Sequence, residues 1–283
     1  MRILKSLCIS FSLYSKIPVP QFAWEEDDMK YVLCFFPWIG VVTGALLLLW
    51  SYICKRLSIG NLAFTCIGTA LPLLVTGGFH ADGFMDTMDA FHSYKERKEK
   101  LEILKDSHIG AFSVLMLVLY YLIYLAAFSE IKDGRDLLAL GFGYVISRCL
   151  SGIGVVTFRS AKNNGLLYTF ADSAAKRAVR VSLYLQLILC AVLLIILCGK
   201  TGVLVLIASA GSFLYYRYRS YHELGGITGD TAGYFVMICE AAVFPLSPLH
   251  RHNAVADLIA DKDTIRAFLL ILQHDLFRRF SLL

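Results

Sequence analysis

Charge is scarce in this chain. Of its 283 residues only 17% are charged, 57% are hydrophobic, and the mean hydropathy is +0.63. A soluble domain carries roughly a quarter charged residues and about half apolar ones, so this composition excludes an ordinary soluble protein and points to a polytopic membrane protein. The net charge of +5 forms no basic stripe interleaved with aromatics, which argues against a nucleic-acid partner. No C-x-x-C pair occurs. The cysteines at 8, 34, 54, 66, 149, 190, 198 and 239 lie mostly in apolar runs, so small buried hydrophobes are favoured over a disulfide framework or zinc site. There is no internal repeat, no low-complexity linker and no nucleophile elbow of a Ser-His-Asp hydrolase. The N-terminus, Met1 to Pro20, lacks a signal-peptide cleavage pattern and reads as a retained short interfacial helix.

What is plentiful is long apolar sequence. About 20 helical residues cross the hydrocarbon layer of a bilayer, and open strands cannot, because their edges leave backbone groups unsatisfied. Runs near 31–54, 61–78, 110–128, 136–158, 181–198, 201–217 and 231–246 predict an all-α protein of about seven transmembrane helices. Lysine and arginine crowd alternate loops. Lys95, Arg97, Lys98, Lys100 and Lys105 fall in one, Arg159, Lys162, Lys176, Arg177 and Arg180 in another, whereas the loop after the first run has only Lys55 and Arg56. The positive-inside rule then places the N-terminus, the 79–109 loop and the turn before the last run on the cytoplasmic side of the membrane. Residues 1–246 read as one membrane domain. The tail, 247–283, mixes charge with apolar residues at spacings that allow an amphipathic helix. The sequence leaves the oligomeric state open.

The stretch Thr76-Gly77-Gly78-Phe79-His80-Ala81-Asp82-Gly83-Phe84-Met85-Asp86-Thr87-Met88-Asp89 stands apart. On a helix, Asp82, Asp86 and Asp89 share one face. Three carboxylates with no base among them repel, and a divalent cation, magnesium or manganese, relieves that repulsion. The competing reading is a solvated acidic face. Gly83 would let a substrate phosphate approach. Thr87 would position metal-bound water, or bond its own backbone. His80, two residues before Asp82, would point to another face, either as a functional group or as an interfacial histidine.

Other candidates lie downstream. Lys105, Asp106 and Ser107 precede the third run, where lysine suits a phosphate or merely anchors the membrane edge. Arg148 lies inside a predicted span, a costly position that calls for an aspartate or a bound phosphate as partner. Gly225-Gly226-Ile227-Thr228-Gly229-Asp230-Thr231 opens the last run as a glycine-rich turn before a helix, a form that binds anions. Asp230 is there either an N-cap or a further metal ligand. Together these groups suit metal-assisted phosphoryl transfer.

The pattern resembles the cobalamin synthase (adenosylcobinamide-GDP ribazoletransferase) family over most of residues 1–245. The resemblance rests on Ile17-Pro18-Val19-Pro20, Phe36-Pro37-Trp38-Ile39-Gly40, the aspartate stretch, and Lys105-Asp106-Ser107 with Gly110. It continues through Ser147-Arg148, Phe170-Ala171-Asp172-Ser173 and Thr228-Gly229-Asp230-Thr231. It implies a membrane enzyme that joins α-ribazole, or its 5′-phosphate, to adenosylcobinamide-GDP with release of GMP and a need for Mg²⁺. On that basis Asp82, Asp86 and Asp89 are the expected metal ligands, and with Asp230 the catalytic set. His80, Lys105, Asp106, Ser107, Arg148, Gly226, Thr228 and Gly229 are the expected substrate-binding residues. The chain departs from the family at Met237, where a glutamate is common; its nearest carboxylate is Glu240. A CDP-alcohol phosphotransferase matches poorly, because Asp82-Gly83 is followed by Phe84-Met85-Asp86. A cation-coupled transporter would be expected to show a repeat and midplane acids.

Overall fold

The computed structural model describes residues 2–21, 25–106, 108–131, 134–162 and 175–243. Phe170–Ser173, Ser107 and the 247–283 tail lie outside the described residues. Among the described residues eleven α-helices follow in order: α1 (Arg2–Tyr14), α2 (Glu26–Met29), α3 (Phe36–Arg56), α4 (Asn61–Thr76), α5 (Phe79–His92), α6 (Arg97–Ile103), α7 (Ala111–Ser129), α8 (Gly134–Thr157), α9 (Lys176–Cys198), α10 (Lys200–Leu224) and α11 (Gly229–Val243). There is no strand among the described residues, only one isolated bridge, Ser160 with Ile227.

Each of the seven predicted runs is helical, but seven spans are not what the helices support. Among the described residues, four segments are long and apolar enough to cross a membrane: Asp27–Arg56, Ala111–Ser129, Gly134–Thr157 and Lys176–Cys198. A fifth arises if α4 and α5 count as one bent unit, since they meet at 91°. α10 has the length, 25 residues, but its C-terminal half carries Arg217, Arg219, His222 and Glu223. α11 is described from Gly229 to Val243, 15 residues.

α8 is the axis of the bundle. It is the most enclosed of the four spanning helices and packs against α3, α9 and α11. α7 and α9 lie outermost, exposing Leu115, Leu122, Leu185, Ile188 and Ile196, an apolar surface suited to lipid. Within α8, Arg148 is fully buried and donates from Nη1 to Glu240 Oε1 of α11 at 2.7 Å. All eight cysteines are free thiols, most of them buried, as their apolar surroundings predict.

α1 does sit at the N-terminus as a short helix. It is held by Ser6 Oγ donating to the Asp28 carbonyl at 2.8 Å. After it, the Lys16 N–H donates to the Val75 carbonyl at 2.8 Å, so the N-terminal segment is sewn to the end of α4, beside the aspartates.

Candidate active site

The site begins at the corner between α4 and α5. Gly77 and Gly78 both adopt left-handed backbone, φ 63° and 84°, which side chains rarely tolerate. These glycines turn the chain sharply and start α5 across the direction of α4, outside the spanning helices. Asp82 falls in the first turn of α5, where the helix dipole favours a negative charge. It is exposed, and Asp86, one turn on, is half-buried.

Across from them comes the start of α11. Thr228 is its N-cap and Thr231 closes a reciprocal pair with it. The Thr231 N–H donates to Thr228 Oγ1 at 3.2 Å, and the Thr228 N–H donates to Thr231 Oγ1 at 2.8 Å. That settles the open question over Asp230: the cap is Thr228, and Asp230 is left free to face α5, with Thr228 Oγ1 donating to its Oδ2 at 3.2 Å. Gly83 is what lets the two helices meet. A Cβ there would lie 2.8 Å from the Asp230 carbonyl oxygen and 3.1 Å from its Cα. The close approach expected of a substrate at Gly83 is therefore made by Asp230's own backbone.

The result is a set of mutually repelling carboxylates. Burial, then the charges of Asp82, Asp230 and Asp89, push Asp86 up to about 6. Burial also raises Asp230, against the pull of Lys162. A cavity of about 410 Å³ lies against Asp82, walled by Ser12, Lys16, Thr76, Gly77 and Met85, a volume in the range of small-molecule sites.

Other expected site residues go elsewhere. Asp89 shares the face, but both its oxygens are engaged at the start of α7: Gly110 N–H donates to Oδ2 at 2.8 Å and Ser113 N–H to Oδ1 at 3.0 Å. It caps a neighbouring helix. Thr87 is fully buried and turned from the crevice. Lys105 pairs with Glu102 at 2.7 Å on the surface, and exposed Asp106 accepts from the His108 backbone at 3.0 Å. Arg148 is spent on Glu240, the carboxylate three residues beyond Met237, where the sequence departs from the family pattern. His80 is buried, with Gly233 against its backbone, and burial with Arg148 nearby keeps its ring neutral. It lines a chamber of about 20 Å³ with Arg148 and Glu240, room for a single water. Gly226 does not cradle an anion; it is crossed by the chain at Arg159–Ala161. Gly229 is exposed at the first turn of α11.

Lys162 is the residue the sequence reading passed over. It stood as one loop charge among several, and only the fold brings it to Asp230 and Asp86.

Among the described residues no three His, Cys, Asp or Glu side chains gather closely enough to hold a metal ion by themselves. The donor set nevertheless fits a hard cation of the magnesium type. Such an ion binds through one or two carboxylates and completes its shell with water and substrate phosphate, not in an all-protein cage. Asp82, Asp86 and Asp230 are the groups that would hold it.

Fold and site together define a helical membrane protein in which aspartates of α5 meet Asp230 at the start of α11. The profile of the family described as cobalamin-5-phosphate synthase matches residues 6–246, and the chain belongs to that family. An adenosylcobinamide-GDP ribazoletransferase of Lachnoclostridium phytofermentans is 40% identical over 240 residues, covering 85% of this chain and 92% of that one. Proteins of the same name from Clostridium botulinum and Clostridium perfringens are 31% and 29% identical, each covering 83% of this chain and 94% of their own. No solved structure matches the chain.

Proposed function

We propose that this chain is an adenosylcobinamide-GDP ribazoletransferase. It moves the adenosylcobinamide phosphate group of adenosylcobinamide-GDP onto a ribose hydroxyl of α-ribazole, or of α-ribazole 5′-phosphate, and releases GMP, a late step in making cobalamin. The observation that carries the reading is the meeting of Asp82 and Asp86 with Asp230 from a second helix, beside a ligand-sized cavity. Bound Mg²⁺ would offset the charge of the diphosphate. Whichever of the carboxylates the cation leaves free accepts the hydroxyl proton. Asp82 and Asp230 would act on the phosphates through that cation. Lys16 and the α5 N-terminus border the cavity in which the rest of the substrate lies.

The cytoplasmic side of the cell membrane is the side we assign to this site. Support comes from where the basic loops gather. Lys100 pairs with Glu223 of α10, Arg97 lies against Gly225, and Arg159 donates from Nε to the Gly225 carbonyl at 2.9 Å. Three lysine- and arginine-rich segments thus collect at the end of the bundle that holds the aspartates, as the positive-inside rule requires of a cytoplasmic end.

The test is direct. Purified full-length protein is given adenosylcobinamide-GDP, α-ribazole and Mg²⁺, and GMP is measured. Release that stops when Mg²⁺ is chelated is the expected result; no release in any of these conditions overturns the proposal.

A further inference from the structure

A short strap, residues 158–162, crosses the turn that leads into α11. The two backbones pair: Ala161 N–H donates to the Ile227 carbonyl at 2.8 Å and Ile227 N–H donates to the Arg159 carbonyl at 2.9 Å. The crossing is tight, since a Cβ on Gly226 would lie 2.5 Å from the Arg159 carbonyl oxygen and 2.8 Å from the Ala161 nitrogen. Ser160 Oγ then donates to the Lys162 carbonyl at 2.6 Å. The backbone of Lys162 is therefore fixed against the turn that sets Asp230.

Its side chain is half-buried. Asp230 is the charge that acts on it most strongly, ahead of Lys105, Glu102 and Asp86. Yet it closes no ion pair within 4.0 Å among the described residues. Lys105, the other lysine nearby, is already engaged by Glu102. A half-desolvated ammonium under the influence of nearby carboxylates, but in no ion pair with them, is available to an anion that both sides can grip, directly on the lysine side and through a cation on the carboxylate side.

The geometry points to Lys162 as a catalytic residue whose ammonium binds the substrate's diphosphate at the phosphate that departs. This rests on the transfer reaction proposed above. The acceptor hydroxyl oxygen forms a bond to the corrinoid-side phosphorus while its proton passes to a carboxylate. The bond from that phosphorus to the bridging oxygen breaks, and its electron pair stays on the GMP phosphate. Lys162 keeps its own proton throughout and meets the negative charge that builds on that oxygen, the kind of stabilisation that preorganised donors supply.

K162M and K162R in the full-length protein test it. K162M lowers kcat/KM for adenosylcobinamide-GDP by about 10²–10³-fold, as loss of one such donor does, with KM for α-ribazole unmoved. K162R recovers part of the loss, because arginine keeps the charge but not the point geometry. GDP titrated with Mg²⁺ binds wild type at least about tenfold tighter than K162M, the scale of one charge-assisted hydrogen bond. A folded K162M with wild-type kcat/KM and wild-type GDP affinity overturns the inference. If K162M does not fold by size exclusion and circular dichroism, K162Q takes its place in both measurements. Wild type that binds GDP through Lys162 but releases no GMP would sink the transfer reaction and leave the diphosphate contact standing.

Discussion

Gly83 and Asp230 touch. The backbone of Asp230, at the start of α11, sits so close to Gly83 of α5 that a methyl group there would come within 2.8 Å of its carbonyl oxygen. Two aspartate-bearing segments well separated in sequence are made into one site by a missing side chain. Gly83→Ala should push α11 away from α5. Overpacking of this kind costs about 1–3 kcal/mol, and turnover should fall by more than the stability loss explains, because Asp230 moves off Asp82 and Asp86. Thermal midpoint in detergent and GMP release, measured on the same preparation, separate the two. Wild-type turnover in Gly83→Ala would show that the contact is dispensable.

The three aspartates of α5 should part company under mutation. Asp82→Asn abolishes turnover and blunts the Mg²⁺ dependence, while the thermal midpoint holds. Asp89→Ala instead lowers stability by roughly 0.5–2 kcal/mol, the cost of a lost helix cap, because Gly110 and Ser113 lose their acceptor. Residual activity in Asp89→Ala at low temperature is the discriminating result. A stable, dead Asp89→Ala protein would return Asp89 to the chemistry.

Arg148 and Glu240 form a buried pair inside the bundle, and breaking one side leaves an uncompensated charge. Arg148→Met or Glu240→Leu alone should destabilise by about 3–5 kcal/mol, and the double substitution should recover much of that. A double-mutant cycle by chemical or thermal unfolding checks it. Equal losses in the single and double variants would mean that the pair is not coupled.

Stability of the metal-free protein should depend on pH through Asp86. Its folded carboxyl is raised from 3.8 to about 6 by burial and neighbouring carboxylates, so between those values the folded state holds the proton more tightly than the unfolded chain. Stability therefore falls as pH rises across that window. Thermal midpoints between pH 4.5 and 7 should decline, and Asp86→Asn should flatten the decline. Added Mg²⁺ should restore stability at pH 7 in wild type but not in Asp86→Asn.

Much of this protein was legible without its fold. An apolar composition with little charge forces helices, because only a helix satisfies its own backbone in lipid. All seven apolar runs are helical for that reason. Hydropathy along the chain does not report direction, so the corner at Gly77-Gly78, which turns α5 through 91° from α4, was invisible to it. The helical phase put Asp82, Asp86 and Asp89 on one face correctly. It could not say that Asp89's neighbour in space is the start of α7.

The sequence by itself determined the residue types, the helical class and the acidic stripe, since these follow from local periodicity and composition. Tertiary structure decided which charges belong to one another. Thr228 took the cap and freed Asp230, Glu240 claimed Arg148, and the strap at Ser160 carried Lys162 to Asp230 and Asp86. Such pairings join residues far apart in the chain, and only packing brings them within the few ångströms over which hydrogen bonds and ion pairs act.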